Sequence, residues 1–204
     1  DVYHAGAYDL AGTIVGVVER ARMLPRDVTA GDAILALPSS GLHTNGYSLA
    51  RRIVFERLQL SVDSHVAELQ QTVGDALLTP HRSYLPVIRP LLDGGRIKGM
   101  AHITGGGITD NLPRVLPRGT EALVRLGSWE VPPMFRWLER AGAVPQDDML
   151  RTFNMGVGLI LVVAAGDADA VIGAMRASGE SAVRVIGEVV VAAEGCPPAV
   201  RYEA

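Results

Sequence analysis

The stretch Ala33-Ile-Leu-Ala-Leu-Pro-Ser-Ser-Gly-Leu-His-Thr-Asn-Gly46 passes from an apolar run into a polar turn that contains two glycines. Its first five residues, 33–37, have the length and apolarity of a buried strand. Turn-forming residues follow over 39–46. Apolar residues then recur at three- to four-residue spacing, which predicts a helix over 46–58 with Asn45 as its cap. This strand–turn–helix unit indicates an α/β fold.

The rest of the chain alternates between the same two kinds of element. Strands are predicted at 13–18, 98–103, 121–126, 158–164 and 183–191, and helices at 73–78, 83–92, 108–112, 133–141, 147–152 and 168–178. The expected architecture is α/β, or α+β, with a mixed sheet and helices packed on it. The break in pattern near Pro25 predicts a boundary between residues 1–24 and a domain at 25–204.

Composition limits the classes of function. The 204 residues are 48% hydrophobic and 20% charged, with a formal net charge of −3 and a single cysteine. The most apolar run, Gly158 to Ala165, is far shorter than the roughly 20 residues of a membrane-spanning helix. No cluster of Lys and Arg indicates a nucleic-acid groove or an anionic membrane surface. One cysteine cannot form an intramolecular disulfide. We therefore expect cytoplasmic small-molecule chemistry, with neither nucleic acid nor a membrane as a partner.

The turn after the buried strand at 33–37 is one candidate binding site, and it offers Ser40, Gly41, His43, Asn45 and Gly46. In open α/β sheets, ligands bind where strand ends meet helix starts, because unpaired N–H groups and the positive end of the helix dipole point into the crevice. Such a site favours anions. The alternative interpretation is a well-formed turn followed by an asparagine cap, and the residue types alone do not choose between the two.

A second candidate site contains three consecutive glycines, Gly105, Gly106 and Gly107, between Thr104 and Asn111. Consecutive glycines cost backbone entropy unless a positive φ or a close approach requires them, and phosphate is the natural ligand of such a loop. The stretch is neither a Walker loop nor a G-x-G-x-x-G dinucleotide motif. A flexible connection is the alternative interpretation.

A third candidate is the polar patch with Arg151 and Asn154 that leads into the strand at 158–164. Arg151 can pair with a phosphate or a carboxylate, but it can equally act as a cation at a helix C-terminus. Asn154 favours a turn in either case. Taken alone, this patch favours a structural role.

The remaining polar residues indicate no metal site. His4, His65 and His81 are scattered along the chain without the spacing of metal ligands. No G-x-S-x-G, H-E-x-x-H or C-x-x-C motif occurs, which argues against the common hydrolase, zinc-protease and thiol redox classes.

Taken in order, these stretches resemble the phosphoribosylformylglycinamidine cyclo-ligases, the aminoimidazole ribonucleotide synthetases of purine synthesis. The resemblance runs almost end to end, through Tyr8-Asp-Leu-Ala-Gly12, Val15-Gly-Val-Val-Glu19, Gly31-Asp32, Ser39-Ser-Gly-Leu-His-Thr-Asn-Gly-Tyr-Ser-Leu49, Leu77-Leu-Thr-Pro80, Lys98-Gly-Met-Ala-His-Ile-Thr-Gly-Gly-Gly107, Asn111-Leu-Pro-Arg114 and Arg151-Thr-Phe-Asn-Met-Gly-Val-Gly158. Single motifs recur in selenophosphate synthetases, thiamin-monophosphate kinases, formylglycinamidine synthases and hydrogenase maturation proteins. The stretches 99–107 and 151–154 look specific to the cyclo-ligases.

The resemblance implies a C-terminal domain, preceded at residues 1–24 by a remnant of an N-terminal ATP-binding domain. ATP and Mg²⁺ would be bound mainly by the N-terminal half, which also builds a homodimer in the family, so the chain alone would be an incomplete catalyst. The implied reaction closes the imidazole ring of formylglycinamidine ribonucleotide with ATP, giving aminoimidazole ribonucleotide, ADP and phosphate.

The resemblance also implies roles for the candidate residues. His43 would be catalytic and, with Asn45, would face the reacting end of the substrate. Substrate binding would involve Ser40, Gly41, Gly46, Thr104, Gly105, Gly106, Gly107 and Asn111, the last five around the 5′-phosphate, with Arg151 and Asn154 supporting the floor of the site. Another ATP-dependent enzyme of the superfamily, or a ligand-binding module without catalysis, would share many of these motifs. His81 departs from the family pattern, in which a threonine is expected after Leu-Thr-Pro.

Overall fold

A computed structural model describes residues 11–204. Its centre is a six-stranded mixed sheet, and a separate two-stranded hairpin lies beside it. In chain order, the strands are β1 (Ala33–Pro38), β2 (His65–Val66), β3 (Gln71–Thr72), β4 (Ile97–His102), β5 (Thr120–Arg125), β6 (Val157–Val163), β7 (Arg184–Val191) and β8 (Ala199–Glu203). The sheet order is β4-β6-β1-β7-β5-β8, with β5 and β8 parallel and every other neighbouring pair antiparallel. The predicted fold class is therefore confirmed.

Helices pack on this sheet and beside it. They are α1 (Tyr47–Arg51), which continues as a π-helix over Arg52–Arg57, α2 (Val73–Leu77), α3 (Leu85–Leu92), α4 (Gly107–Asn111), which continues as a 3₁₀ helix over Leu112–Val115, α5 (Pro133–Gly142), α6 (Gln146–Thr152) and α7 (Ala168–Ala177). Short 3₁₀ turns lie at Arg20–Arg22 and Ala165–Asp167. Among the residues 11–204, no helix is both long and apolar enough to cross a bilayer.

Two neighbouring inner strands of the sheet, β1 and β6, are apolar along their whole length because both faces of the sheet are covered there. In their antiparallel register, Ile34 lies opposite Val162 and Leu35 lies opposite Leu161. Side chains on the first face join a core with α4 and the 3₁₀ helix after it. Side chains on the second face pack against α3 and α7. Strands buried on both faces lose the alternating pattern of half-exposed strands, which explains their continuous apolar runs.

A third apolar cluster lies off the sheet and connects α1, α2, α5 and α6. Leu42 and Phe153 belong to it and are 2% and 1% exposed. Leu42 lies in the turn after β1, and Phe153 follows α6. Burying these two side chains in one cluster fixes two of the predicted site segments against each other.

Two predictions of secondary structure are wrong. Residues 13–18 form no strand, and Ile14 and Val17 are 98% and 100% exposed. β-Branched residues favour strands only where a neighbouring strand packs against them, and no described residue pairs with this segment. The sequence also predicts 183–191 as the last strand of the chain, whereas β8 follows it and pairs with β5. The hairpin of β2 and β3 was not predicted from the sequence.

Candidate functional site

The three candidate segments converge at one end of the sheet. The turn at 39–46 leaves the end of β1, the glycine loop leaves the end of β4, and the segment at 153–156 enters β6. Since both β1 and β4 run antiparallel to β6, their last residues lie beside its first ones, with Pro38 opposite Val157 and His102 opposite Leu159. The sheet topology therefore assembles a site from stretches that are distant in sequence.

Asn154 joins the first and third segments and is 1% exposed. Its Oδ1 accepts hydrogen bonds from the Ser39 hydroxyl at 2.9 Å and from the Gly156 N–H at 2.8 Å. Its Nδ2 donates to the Gly41 carbonyl at 2.8 Å. These bonds engage both ends of the amide, so Asn154 joins the turn at 39–46 to the segment at 153–156. Its predicted role in supporting a bound substrate stays a prediction.

Asn45 joins the first segment to the glycine loop. Its Oδ1 accepts a hydrogen bond from the Gly105 N–H at 2.9 Å, and its Nδ2 donates to the His43 carbonyl at 2.7 Å. The prediction that Asn45 caps the following helix is wrong. Gly46 occupies the cap position with a φ of +74°, and the helix start has no side-chain cap. The amide reaches across to the neighbouring loop instead.

Asn111 organises the glycine loop from inside and is 3% exposed. Its Nδ2 donates to the carbonyls of Gly107 at 2.8 Å and Gly105 at 3.1 Å, and its Oδ1 accepts from the Thr104 hydroxyl at 3.1 Å. Thr104 and Asn111, both predicted to contact a phosphate, thus bond to each other and to the loop. We call Asn45, Asn111 and Asn154 the asparagine framework.

The three glycines of the loop at 105–107 are under different steric constraints. At Gly107, where φ is +59°, a Cβ would lie 2.0 Å from the Leu150 carbonyl oxygen, so only glycine lets α4 approach the end of α6. At Gly106 a Cβ would lie 2.6 Å from the side chain of Asp110. At Gly105 it would meet only Asn45 Oδ1, at 3.7 Å. The predicted phosphate cradle therefore stays a prediction, and Gly105 is its accessible member.

Arg151 lies at the edge of the site, at the C-terminal end of α6. Its Nη1 is 3.8 Å from Oδ1 of Asp110, and both side chains are more than half exposed. An exposed pair at this distance contributes at most about 1 kcal/mol. The position fits both interpretations of Arg151, a helix C-terminal cation and a group that can pair with an anion.

His43 is 1% exposed and has a φ of +52°, in the left-handed region. Its Nε2 accepts a hydrogen bond from the Ser40 N–H at 2.9 Å, and the Ser40 hydroxyl lies 2.9 Å from the same nitrogen. With Nε2 accepting, the ring proton of neutral His43 is on Nδ1. Nδ1 is buried and has no hydrogen-bond partner among the described residues.

Burial lowers the pKa of His43 to about 4, helped by repulsion from His81, His102 and Arg82. His43 is therefore neutral at physiological pH. Its environment favours the uncharged ring because desolvation penalises the imidazolium and three potential cations surround it.

Two exposed histidines outside the predicted site residues, His81 and His102, lie beside His43. The His81 ring stacks on the His43 ring with centroids 3.9 Å apart and planes 15° apart, and the His102 ring centroid is 5.2 Å from that of His81. One ring nitrogen from each of the three residues lies within 4.8 Å of the others. Burial and the neighbouring His81 also lower the pKa of His102. We call His43, His81 and His102 the histidine group.

Spacing along the chain hides this group, because its members are far apart in sequence and each comes from a different segment. The signal that could have revealed it is the departure of His81 from the family pattern, two residues after Thr79 at the start of the loop into α3. His4 lies outside the described residues, and His65 lies on β2 in the separate hairpin.

The segment that carries His81 is anchored to the end of β1. Tyr84 donates from its hydroxyl to the Pro38 carbonyl at 2.8 Å, and Arg82 Nη1 donates to the same oxygen at 3.3 Å. Arg82 also forms an ion pair with Glu180, whose side chain is 4% exposed. Burial raises the pKa of the Tyr84 hydroxyl, which stays protonated as the donor. The His81 backbone is thus held while its ring faces outward.

Magnesium does not fit the side chains that the structure brings together. Mg²⁺ prefers carboxylate and water oxygens in octahedral geometry. Within residues 11–204, the histidine group is the set of three or more His, Cys, Asp or Glu side chains that can share one ion, and it offers only nitrogens. Binding of ATP and Mg²⁺ mainly by an N-terminal half stays a prediction.

A surface cavity of about 470 Å³ between α1 and α6 is lined by residues such as Arg52 and Asp148. None of the predicted site residues lines it. The assembled site is instead an open face at the end of the sheet, next to His81 and His102, which are both exposed.

Comparison with known proteins decides the family. The family described as "AIR synthase related protein, C-terminal domain" matches residues 29–195. The chain belongs to this family. The family expectation drawn from the motifs is confirmed, and the matched range covers every predicted site residue of this AIR synthase related domain.

Two relatives of the domain are named phosphoribosylformylglycinamidine cyclo-ligase. The protein from Trichlorobacter lovleyi is 48% identical over 188 residues, which cover 92% of this chain and 54% of that protein. The protein from Sorangium cellulosum is 52% identical over 192 residues, which cover 93% of this chain and 55% of that protein. The chain thus spans about half the length of these relatives.

A solved structure supports the fold. The thiamine-monophosphate kinase of Stenotrophomonas maltophilia superposes with a TM-score of 0.58 at 18% identity, covering 91% of this chain and 54% of that protein. At this identity the likeness shows a shared fold and carries no information about the substrate.

Proposed function

We propose that this domain is the C-terminal part of an enzyme that closes the imidazole ring of formylglycinamidine ribonucleotide with ATP, giving aminoimidazole ribonucleotide, ADP and phosphate. The observation that supports the proposal is the convergence of the two stretches that look specific to the cyclo-ligases, 99–107 and 151–154, on one end of the sheet. The names and identities of the relatives point the same way. A cytoplasmic enzyme acting as a homodimer is part of the same proposal.

Ring closure requires that an amide oxygen become a leaving group. In the proposed reaction the γ-phosphoryl group of ATP is transferred to the formyl amide oxygen. The amidine nitrogen then attacks the formyl carbon, and the bond between that carbon and the phosphorylated oxygen breaks as phosphate leaves. The protein must hold a flexible, phosphate-bearing substrate so that the nitrogen reaches the carbon. The asparagine framework supplies this rigidity, because it locks the loops around Gly41, Gly105 and Gly156 to one another.

His43 would act in this reaction as a neutral hydrogen-bond donor. Its pKa of about 4 excludes a cationic role near neutral pH, and the Ser40 N–H occupies Nε2. Nδ1–H is then the group that can stabilise charge developing on an oxygen. Because the His81 ring covers that of His43, contact with the substrate requires His81 to turn outward, which its exposure allows.

The proposal is tested by assaying aminoimidazole ribonucleotide formation from formylglycinamidine ribonucleotide, ATP and Mg²⁺, with this chain alone and with a full-length protein that contains it. We expect turnover only by the full-length protein. Turnover by neither would reject the cyclo-ligase and favour another ATP-dependent reaction.

The role of His43 is tested in the full-length protein with His43→Gln. We expect kcat to fall at least tenfold, about 1.4 kcal/mol, with little change in the KM for the nucleotide. His65→Gln is the matched control, since His65 is exposed on the separate hairpin. A rise in KM at unchanged kcat would reduce His43 to a positioning residue.

A further inference from the structure

The histidine group combines one buried ring with two exposed ones. His43 is buried, whereas His81 and His102 face solvent, and neither exposed ring makes a hydrogen bond within residues 11–204. One nitrogen of each ring lies within 4.8 Å of the others. Each ring therefore has at least one nitrogen that forms no hydrogen bond within the described residues. The proposed ring closure uses His43 and does not use the three rings together.

His43 Nδ1 is the one buried side-chain nitrogen or oxygen of the described chain without a hydrogen-bond partner. Buried polar atoms normally have a partner, because leaving one unpaired costs its full desolvation. The Tyr84 hydroxyl donates to the Pro38 carbonyl and forms no hydrogen bond with Nδ1. An unpartnered buried nitrogen next to two free imidazoles indicates a missing ligand.

We propose that His43, His81 and His102 bind one divalent transition-metal ion of the zinc class, through Nδ1 of His43 and one ring nitrogen of each exposed histidine. Neutral imidazole nitrogen is a borderline ligand that suits Zn²⁺, Co²⁺, Ni²⁺ and Cu²⁺ and does not suit Mg²⁺ or Ca²⁺. Three protein ligands leave a fourth position to water, as in zinc sites with an open position. His43 Nδ1 cannot bind an ion and donate a hydrogen bond in the proposed ring closure at the same time, so the ion and that role of His43 exclude each other.

Metal binding at Nδ1 moves the ring proton of His43 to Nε2. The Ser40 hydroxyl, 2.9 Å away, then accepts from Nε2–H and itself donates to the Pro80 carbonyl at 2.7 Å. A metal-bound histidine generally donates its other N–H to such a group, which fixes the ring. The Ser40 N–H loses its acceptor, and because Ser40 is exposed, water can replace it.

Only the exposed rings need to move. Nitrogens that share a tetrahedral ion at about 2.1 Å are about 3.4 Å apart, so the separations must shorten by roughly 1.4 Å from the observed limit. Stacked rings cannot both point at one ion, and the His81 ring must therefore turn off the His43 face. Its backbone stays in place because Arg82 and Tyr84 hold the Pro38 carbonyl. The structure thus provides a fixed buried ligand and two adjustable ones.

The first experiment measures binding of Zn²⁺ to untagged, chelator-treated chain by calorimetry, and binding of Co²⁺ by its visible absorption. We expect one ion per chain, a Co²⁺ spectrum of four-coordinate type, and no saturable binding of Mg²⁺. Binding of Mg²⁺ equal to that of Zn²⁺ would overturn the proposal, as would an octahedral Co²⁺ spectrum.

The second experiment compares His81→Thr and His102→Gln with the control His65→Gln. Both test positions are exposed, so these variants are expected to fold. We expect each to raise the Kd for Zn²⁺ at least tenfold, and the control to leave it unchanged. Equal Zn²⁺ affinity in the wild type and in both test variants would overturn the proposal. A parallel loss in the control would assign the binding to scattered histidines and overturn it equally.

Discussion

The asparagine framework and the histidine group lie at the same end of the sheet and differ in how their polar atoms are used. Every framework amide bonds to the loops around it, and Asn111 and Asn154 are buried. In the histidine group, one buried nitrogen has no partner in the described chain and two rings face solvent. The stretches that identify the family thus include many residues that set loop geometry. The histidine group takes His43 and His102 from those stretches and adds His81, which departs from the family pattern.

The largest expected effect tests the claim that the glycine loop is set by packing. Gly107→Ala places a Cβ 2.0 Å from the Leu150 carbonyl and 2.8 Å from that of Phe153, at a φ of +59°. Backbone atoms cannot yield as a side chain would, so strain and overpacking should lower the free energy of unfolding by about 4 kcal/mol. Urea unfolding of the variant and wild type measures this. A loss under about 1 kcal/mol would show that the loop is flexible and that packing does not demand its glycines.

The next effect concerns the framework itself. Asn154→Ala removes the partners of the Ser39 hydroxyl, the Gly156 N–H and the Gly41 carbonyl. Since the site is buried, we expect the free energy of unfolding to fall by about 3 kcal/mol. Arg151→Ala is the matched control three residues away, because its exposed pair at 3.8 Å should contribute under about 1 kcal/mol. Equal losses in the two variants would remove the distinction between framework and periphery.

Local sequence patterns predict much of the fold. The predictions that fail concern strand pairing between distant parts of the chain. Sequence pattern alone predicts the strands β1 and β6, which are apolar runs, and the amphipathic helices α5 and α7. These patterns are readable because each element buries fixed faces against the core. The segment at 13–18 has the composition of a strand and lacks a partner, whereas β8 has a weak pattern and gains one in β5. Strand pairing is a property of the whole chain that composition does not encode.

The site divides in the same way. Glycines and asparagines mark turns, so the segments around Gly41, Gly105 and Asn154 are predictable as loops that meet at strand ends. Which atoms the asparagines bond to depends on neighbours from other strands, and the predicted cap at Asn45 fails for that reason. The histidine group depends on the register of β4 and on the loop before α3, which no spacing rule contains.

A smaller effect tests the electrostatics of His43. Its pKa is about 4 in the folded chain against an unfolded value of 6.5, so the unfolded chain binds more protons between these values. The stabilisation from neutral His43 is therefore present above pH 6.5 and is lost as the pH falls toward 4. Between pH 7 and 5 the loss should be about 2 kcal/mol.

Urea unfolding of the wild type and of His43→Gln at both pH values isolates this contribution, because other groups titrate in both proteins. We expect the wild type to lose about 2 kcal/mol more than the variant. Equal losses would mean that His43 is not held neutral by its surroundings.

The smallest expected effect on stability gives the sharpest test of the glycine loop as a ligand site. At Gly105 a Cβ meets only Asn45 Oδ1 at 3.7 Å, and its φ is not in the left-handed region. Gly105→Ala should change the free energy of unfolding by no more than about 1 kcal/mol, the cost of one ordinary surface change. If the loop approaches a substrate phosphate, the same methyl group should raise the KM of the full-length enzyme at least tenfold.

Gly106 cannot serve for this test, because its Cβ would clash with Asp110 and change the loop itself. An unchanged KM in a stable Gly105→Ala protein would assign all three glycines to chain geometry and move the phosphate to another part of the face, where Arg151 is the remaining cation among the predicted residues.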